Sequence, residues 1–190
     1  SRVDPQGLHV VPFKKPTTEE LDHDFLWRVH KEVPAKGQIA IFNRSHYEDI
    51  IAVRVKKIFP DPVWKRRYKH VLDFESMLAE EGTVIIKLFL NISKEEQKKR
   101  LESRLQDPDK LWKFCMDDLD DRNRWDEFQT AYQDLIEKTS TPEAPWYIIP
   151  ADRKWYRNLV VARLMVEKLR HLQLSLPTPN FDPASIIIPD

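Results

Sequence analysis

Residues 41–50 read IFNRSHYEDI. An apolar run of Ile39, Ala40, Ile41 and Phe42 stops, and seven polar or ionisable positions follow: Asn43, Arg44, Ser45, His46, Tyr47, Glu48 and Asp49. In open parallel sheets, ligands bind beyond the carboxyl ends of strands, and Asn43 and Arg44 fall at such an end. Ser45 and Glu48 have capping-box spacing, which predicts a helix opening within the stretch. The unpaired N–H groups and dipole of that helix would favour an anion. The Arg44 guanidinium matches phosphate oxygens as a planar fork. Glu48 and Asp49 are hard oxygen donors suited to a divalent cation, bound directly or through water. Together these residues suit phosphate chemistry with magnesium. A plainer reading stands beside it: Ser45 and Glu48 only cap a helix, Arg44 pairs with Asp49, and His46 is structural.

A second feature adds to the phosphate reading. Between residues 87 and 113 there are eight basic residues, Lys87, Lys94, Lys98, Lys99, Arg100, Arg104, Lys110 and Lys113, against five acids. Between 117 and 137 the balance reverses, with eight acids against Arg122 and Arg124. Helical spacing brings Lys99 and Arg100 near Arg104. A solvated helix face accounts for most of these charges. A run of cations just before an amphipathic helix also suits a lid that grips phosphate.

The elements that must position these residues follow from periodicity and punctuation. LHVVPFK (8–14) reads as a strand. Thr17 and Glu20 open a helix carrying Leu21, Phe25 and Val29 and ending before Pro34. QIAIF (38–42) is a second strand. Asp61-Pro62 starts a helix with an apolar side of Trp64, Tyr68, Val71, Leu72 and Leu78, stopped at Gly82. TVIIKLFLNI (83–92) reads as a strand covered on both faces. Ser93 and Glu96 open a helix to about Leu105, and after Pro108 one long helix is expected over 117–137. WYIIPA (146–151) is the last strand, a helix follows over about 154–173, and Pro177, Pro179, Pro183 and Pro189 mark an irregular tail. Alternating strands and helices predict an α/β domain with a mostly parallel sheet and right-handed crossovers.

Composition sets the outer bounds. A chain of 190 residues and 22.7 kDa, 41% hydrophobic and 33% charged, suits one soluble globular domain with a core. Zero formal net charge predicts no partner in bulk, so any polyanion site must come from local segregation of charge. The single cysteine, Cys115, permits no intrachain disulfide, and a cytoplasmic setting is expected. No apolar run is long enough for a membrane helix, and SRVDPQG lacks the regions of a signal peptide. The three glycines, Gly7, Gly37 and Gly82, form no GxxxxGK[ST] loop.

Several stretches resemble the family-2 polyphosphate kinases. They are FNRSHYEDI with VRV (53–55), ELDHDFLWR (20–28), SKEEQKKR (93–100), DPDKLWKF (107–114) and APWYIIPADRKW (144–155), in order from Val3 to about Leu174. FNRSHYED, with Asn43 where other branches carry Asp, is similar to the class III branch. That branch is associated with phosphorylating both nucleoside monophosphates and diphosphates. The resemblance implies a P-loop kinase-like three-layer domain over 1–176, with a mostly parallel sheet, a helical lid near 107–137 and a Pro-rich tail over 177–190. It implies transfer of a phosphoryl group from inorganic polyphosphate to a nucleotide, with Mg2+ and with Mn2+ as a possible substitute. A homo-oligomer is implied, with no nucleic-acid or membrane partner. Carried over by position, Asn43, Arg44, Glu48 and Asp49 would line the phosphoryl-transfer site. Lys113, Asp117 and Arg122 would face the substrates from the lid. Arg100 would contact phosphates, and Lys14 and Asp24 would lie on the nucleotide side.

The family places a strand and a Walker A loop upstream of the segment matching Val3–Gly7, whereas this sequence starts at Ser1. That part supplies backbone N–H groups, a lysine and an acidic metal ligand, so the metal ligands are expected mainly there. The 190 residues alone are therefore expected to fall short of catalysis, and the function belongs to the intact protein. Two other readings remain open. One is an ATP-dependent nucleotide kinase of the same fold, which a change of donor separates. The other is a non-catalytic phosphate-binding protein, which a GxxxxGK loop upstream would argue against.

Overall fold

The computed structural model describes residues 7–175, 178–186, 188 and 189. Val3 to Gln6 and Pro177 lie outside the described residues. Two compact units are formed, one from the chain before Leu90 together with Ser93–Ile148, the other from Leu90–Ile92 with the chain from Ile149 onward.

In the first unit, β1 (Leu8–Pro12) and β2 (Ile39–Asn43) pair in parallel, from Leu8 opposite Ile39 to Pro12 opposite Asn43. Their carboxyl ends therefore coincide, and the Phe13 N–H donates to the Asn43 carbonyl at 3.1 Å. Between them lie α1 (Thr18–Leu21) and α2 (Trp27–His30), where one longer helix was expected. Thr17 and Glu20 do form a reciprocal capping box. The helix then breaks because Asp24 turns its carboxylate onto the Leu26 N–H at 2.9 Å, a local bond that competes with helix continuation.

Next come α3 (Glu48–Val55) and α4 (Asp61–Glu80). Pro62 sits in the first turn of α4, where no N–H is missed, and Gly82 takes φ +91° just past its end. Helix α5 (Lys94–Gln106) is capped by Ser93, which accepts the Glu96 N–H at 3.1 Å. A 3-10 turn over Pro108–Lys113 leads to α6 (Asp117–Asn123) and α7 (Trp125–Thr139). The single helix expected over 117–137 is thus broken at Arg124, whose N–H bonds back to Asp121 rather than one residue further. The Arg124 guanidinium reaches the Val55 carbonyl at 2.8 Å, a tertiary bond that propensity does not encode.

The core of this unit is built around α3. Ile50, Ile51, Val53 and Val55 are buried against Trp64, Tyr68 and Val71 of α4 and Ala131 and Leu135 of α7. Beyond its acidic first turn, helix α3 is apolar except at Arg54, because α4 and α7 both pack on it. Full burial of Ile50 or Ile51 contributes about 1.5–3 kcal/mol each.

β3 (Lys87–Asn91) and β4 (Trp146–Pro150) form a second two-stranded sheet. One expectation is corrected here. The strand read over 83–92 is paired only from Lys87, and it is not sealed on both faces: Val84 is 49% and Leu90 46% exposed. The expected parallel pairing is present in β1–β2, and among the described residues the strands pair as two ladders, β1–β2 and β3–β4. In the second unit the Ala151 N–H donates to the Asn91 carbonyl at 2.8 Å. α8 (Lys154–His171) follows, then a 3-10 turn at Pro183–Ser185. No described helix is long and apolar enough to cross a membrane.

Candidate active site

The parallel register of β1 and β2 ends at Pro12 opposite Asn43, so Lys14, Lys15 and Arg44 all follow from the same edge of the ladder. Arg44 is the pivot. Its backbone stands at φ +63°, a left-handed conformation that a side chain with a Cβ adopts only under constraint. The turn leaves the Arg44 side chain exposed and swings the chain inward, so that His46 and Tyr47 are buried.

That turn also moves the start of α3. The helix begins at Glu48 with Tyr47 at the N-cap position and no side-chain cap. Ser45 and Glu48 therefore do not form the expected capping box. The Ser45 hydroxyl only meets the Tyr47 N–H at 3.4 Å. The start of the helix is held by Tyr47, whose ring is buried and whose hydroxyl donates to Glu75 at 2.5 Å.

Glu48 and Asp49 follow at once, in different settings. Burial pushes the Glu48 carboxyl above its ordinary value. Arg44 pulls it partly back, and Asp49 and Asp121 push it up again. Asp121 thus reaches this corner from α6, and the Lys56 ammonium stands 2.7 Å from it. Asp49 is held by Arg28, which is 8% exposed and donates to the Asp49 carboxylate at 3.0 Å and the Lys14 carbonyl at 2.9 Å. Arg28 also stands 3.7 Å from Glu20 and 5.4 Å from the Phe13 ring centroid. Arg67 donates to the Asp49 carbonyl at 2.5 Å while lying over Phe25. The Arg44–Asp49 pair of the plainer reading is replaced by Arg28–Asp49.

The remaining candidates are placed as follows. Lys14 is exposed, with its carbonyl on Arg28. The Asp24 carboxylate accepts from the backbone at Leu26. Asp117 meets Lys15 at 3.4 Å, joining the end of β1 to α6. Lys113 is exposed over the Trp112 ring, 4.9 Å from its centroid. Arg100 bonds Glu96 one turn back at 2.7 Å. Arg122 donates to the Lys94 carbonyl at 2.7 Å and to Gln97 at 2.9 Å, fastening α6 to the first turn of α5. Of the eight cations read as a phosphate-facing run, Lys87 is removed: it is 5% exposed and bonds Glu75 at 2.7 Å. Lys98, Arg104 and Lys110 pair with Glu102, Asp118 and Asp107.

Among the described residues no three histidine, cysteine or carboxylate side chains come together as a metal cage. Glu48 and Asp49 alone do not fit one, since Arg28 already engages Asp49. The corner instead exposes Lys14, Lys15 and Arg44 at two strand ends, with buried Arg28 holding the Lys14 carbonyl and the Asp49 carboxylate. Sequence reasoning missed Arg28, Arg67, Asp121 and the Glu75–Lys87 pair. The readable signal was charge inside apolar patterns, Arg28 between Trp27 and Val29, Glu75 after Val71 and Phe74, and Lys87 after Ile85 and Ile86.

Comparison with known proteins bears on this corner. The family profile of Polyphosphate kinase 2 (PPK2) matches residues 1–176. An AMP/ADP-polyphosphate phosphotransferase of Meiothermus ruber is 53% identical over 186 residues, which are 98% of this chain and 70% of that protein. An ADP-polyphosphate phosphotransferase of Rhodopseudomonas palustris is 39% identical over 93% of this chain and 65% of that protein. The crystal structure of polyphosphate kinase 2 from Arthrobacter aurescens superposes with a TM-score of 0.93 and 49% identity, over 96% of this chain and 64% of that one. The chain thus spans roughly two thirds of the length of these relatives, and its α/β fold is theirs. By the profile match, the identities and the superposition together, the chain belongs to the polyphosphate kinase 2 family.

Proposed function

We propose that the protein transfers phosphoryl groups from inorganic polyphosphate to nucleoside mono- and diphosphates, AMP to ADP and ADP to ATP. The observation that carries this reading is the coincidence of the β1 and β2 ends, where Arg44, Lys14 and Lys15 are exposed and buried Arg28 ties the Lys14 carbonyl to Asp49. The names of the relatives supply the donor and the acceptors.

Phosphoryl transfer asks for in-line positioning and neutralisation of charge more than for covalent help. Arg44 spans two oxygens of the moving group with its fork. Lys14, Lys15 and Lys113 meet the polyanion. Arg28 and Arg67 hold Asp49 and keep the β1 end and the α3 start at a fixed separation. The acceptor phosphate is already ionised near neutrality, so no strong general base is required. Glu48, its carboxyl pushed above its ordinary value by burial, is a positioning group in this scheme rather than a proton acceptor. Mg2+, or Mn2+ in its place, accompanies the phosphates; the described residues build no cage for it.

The test is a matrix of donors and acceptors run on protein from the complete reading frame, with products separated by chromatography. AMP and ADP are each offered with polyphosphate, with another nucleoside triphosphate, and with no donor. Polyphosphate is expected to yield ADP and ATP. Product only from the nucleoside triphosphate would make the protein an ATP-type nucleotide kinase.

A further inference from the structure

A group of ionisable side chains lies buried beneath the candidate site and outside its chemistry. The Lys87 ammonium donates to Glu75 at 2.7 Å, to the Tyr47 hydroxyl at 3.1 Å and to the Thr139 carbonyl at 2.6 Å. Tyr47 donates to the other Glu75 oxygen at 2.5 Å. Thr139 in turn accepts from the Trp146 indole at 2.9 Å. His46 stacks on Tyr47, its Nε2 3.6 Å from Glu75 and outside hydrogen-bond reach. Lys87, Glu75, Tyr47 and His46 are each at least nine-tenths buried.

Such a group is a costly way to hold a core together. Two charges removed from water recover their desolvation only through close geometry, and apolar replacements of both are often as stable or more so. The presence of the pair therefore points to something other than stability. Burial pushes Glu75 up, yet Lys87 and Tyr47, both hydrogen-bonded to it, with His46 close by, outweigh burial and hold the carboxyl below its ordinary value. Glu75 thus favours its charged form, as the acceptor of the Tyr47 hydroxyl.

Tyr47 is where that anion acts. It is the residue before Glu48 and three after Arg44. The turn it ends has no capping side chain to fix it. Arg44 is held at φ +63°, and that conformation persists only if both sides of the turn are anchored. The β1–β2 ladder anchors one side and Tyr47 the other.

We propose that the buried Glu75–Lys87 pair, acting through the Tyr47 hydroxyl, is a positioning device that sets the 44–47 turn and with it the placement of Arg44 and Glu48. The proposal rests on the polyphosphate reading of the site for its kinetic consequences, but the turn itself can be read without activity.

The experiment compares wild type, Tyr47→Phe, and the double variant Glu75→Leu with Lys87→Met. Four quantities are measured: kcat and KM with polyphosphate and ADP, the thermal midpoint, and hydrogen exchange of the peptide spanning residues 41–51. Tyr47→Phe keeps the ring and leaves Glu75 and Lys87 paired. It is expected to lower kcat about tenfold or more, because small misplacement beside a reacting group is costly in rate. KM should change little, and exchange over 44–49 should quicken. The double variant is expected to match or exceed wild type in thermal midpoint while kcat stays low and exchange stays fast. Wild-type kcat in Tyr47→Phe, or kcat recovering with the midpoint in the double variant, would reduce the group to core packing and overturn the proposal. If the wild type shows no polyphosphate-dependent transfer, the functional reading fails while the exchange data still decide the positioning. Unchanged exchange over 44–49 in both variants then overturns it, and faster exchange upholds it.

Discussion

Arg44 carries the largest single expectation because it joins an unusual backbone to an exposed guanidinium. A guanidinium on a transferring phosphoryl contributes roughly 10³–10⁵ in rate. Arg44→Lys keeps the charge but loses the planar fork, so turnover should fall by a large part of that factor with little change in thermal midpoint. Near-normal turnover, measured under saturating substrates, would assign Arg44 to a structural role. Glu48 makes a different prediction. Its carboxyl is raised above the ordinary 4.5 chiefly by burial. Between that value and its raised one, the folded state holds more protons than the unfolded state, so stability falls as pH rises through the window. Glu48→Gln removes this penalty. The variant should melt above wild type at neutral pH, and the two should converge on acidification below 4.5; equal midpoints at neutral pH would contradict the burial argument. Arg44, Glu48 and Asp49 were legible as a polar cluster at a strand end. Arg28 was not, because its importance lies in contacts with residues fourteen and twenty-one positions away.

Helices were legible where the cap chemistry is local. The Thr17 and Ser93 caps and the Pro62 start all rest on contacts within a turn. They were misread where a tertiary bond interrupts the pattern, as at Arg124, or where burial rather than capping fixes a start, as at Tyr47. The same distinction separates two residues of the segment expected to act as a lid. Lys113 is exposed over the Trp112 ring, where a polyanion can reach it, whereas Arg122 is engaged by Lys94 and Gln97. Polyphosphate is a dense linear polyanion whose pairing with cations releases counterions. In nucleic acids each neutralised phosphate adds roughly 0.7–0.9 to the log–log salt slope. Lys113→Ala should flatten the salt dependence of the apparent polyphosphate constant by an amount of that order. Arg122→Ala should leave the slope unchanged and instead quicken hydrogen exchange in α6 and the first turn of α5. Parallel slopes for wild type and Lys113→Ala would take Lys113 out of the polyphosphate site.

At the scale of the whole molecule, alternation of strands and helices was enough to read an α/β chain, because each element carries its own periodicity. The division into two separate ladders was not readable, because apolar runs such as 83–92 do not say which of their residues will find a partner strand. The pairing of Glu75 with Lys87 was not readable for a related reason: each shows as a charge in an apolar run, but the fold alone decides which two such positions meet. The central claim is that this fold carries phosphoryl groups from polyphosphate to a nucleotide by way of Arg44. The most direct measurement follows the phosphorus signals of polyphosphate and nucleotide together, by phosphorus NMR, for wild type and Arg44→Lys from the complete reading frame. The account predicts that each terminal phosphate lost from polyphosphate appears on a nucleotide, and that both processes slow together in Arg44→Lys. Release of free orthophosphate without nucleotide gain, or equal transfer rates in the two proteins, would contradict it.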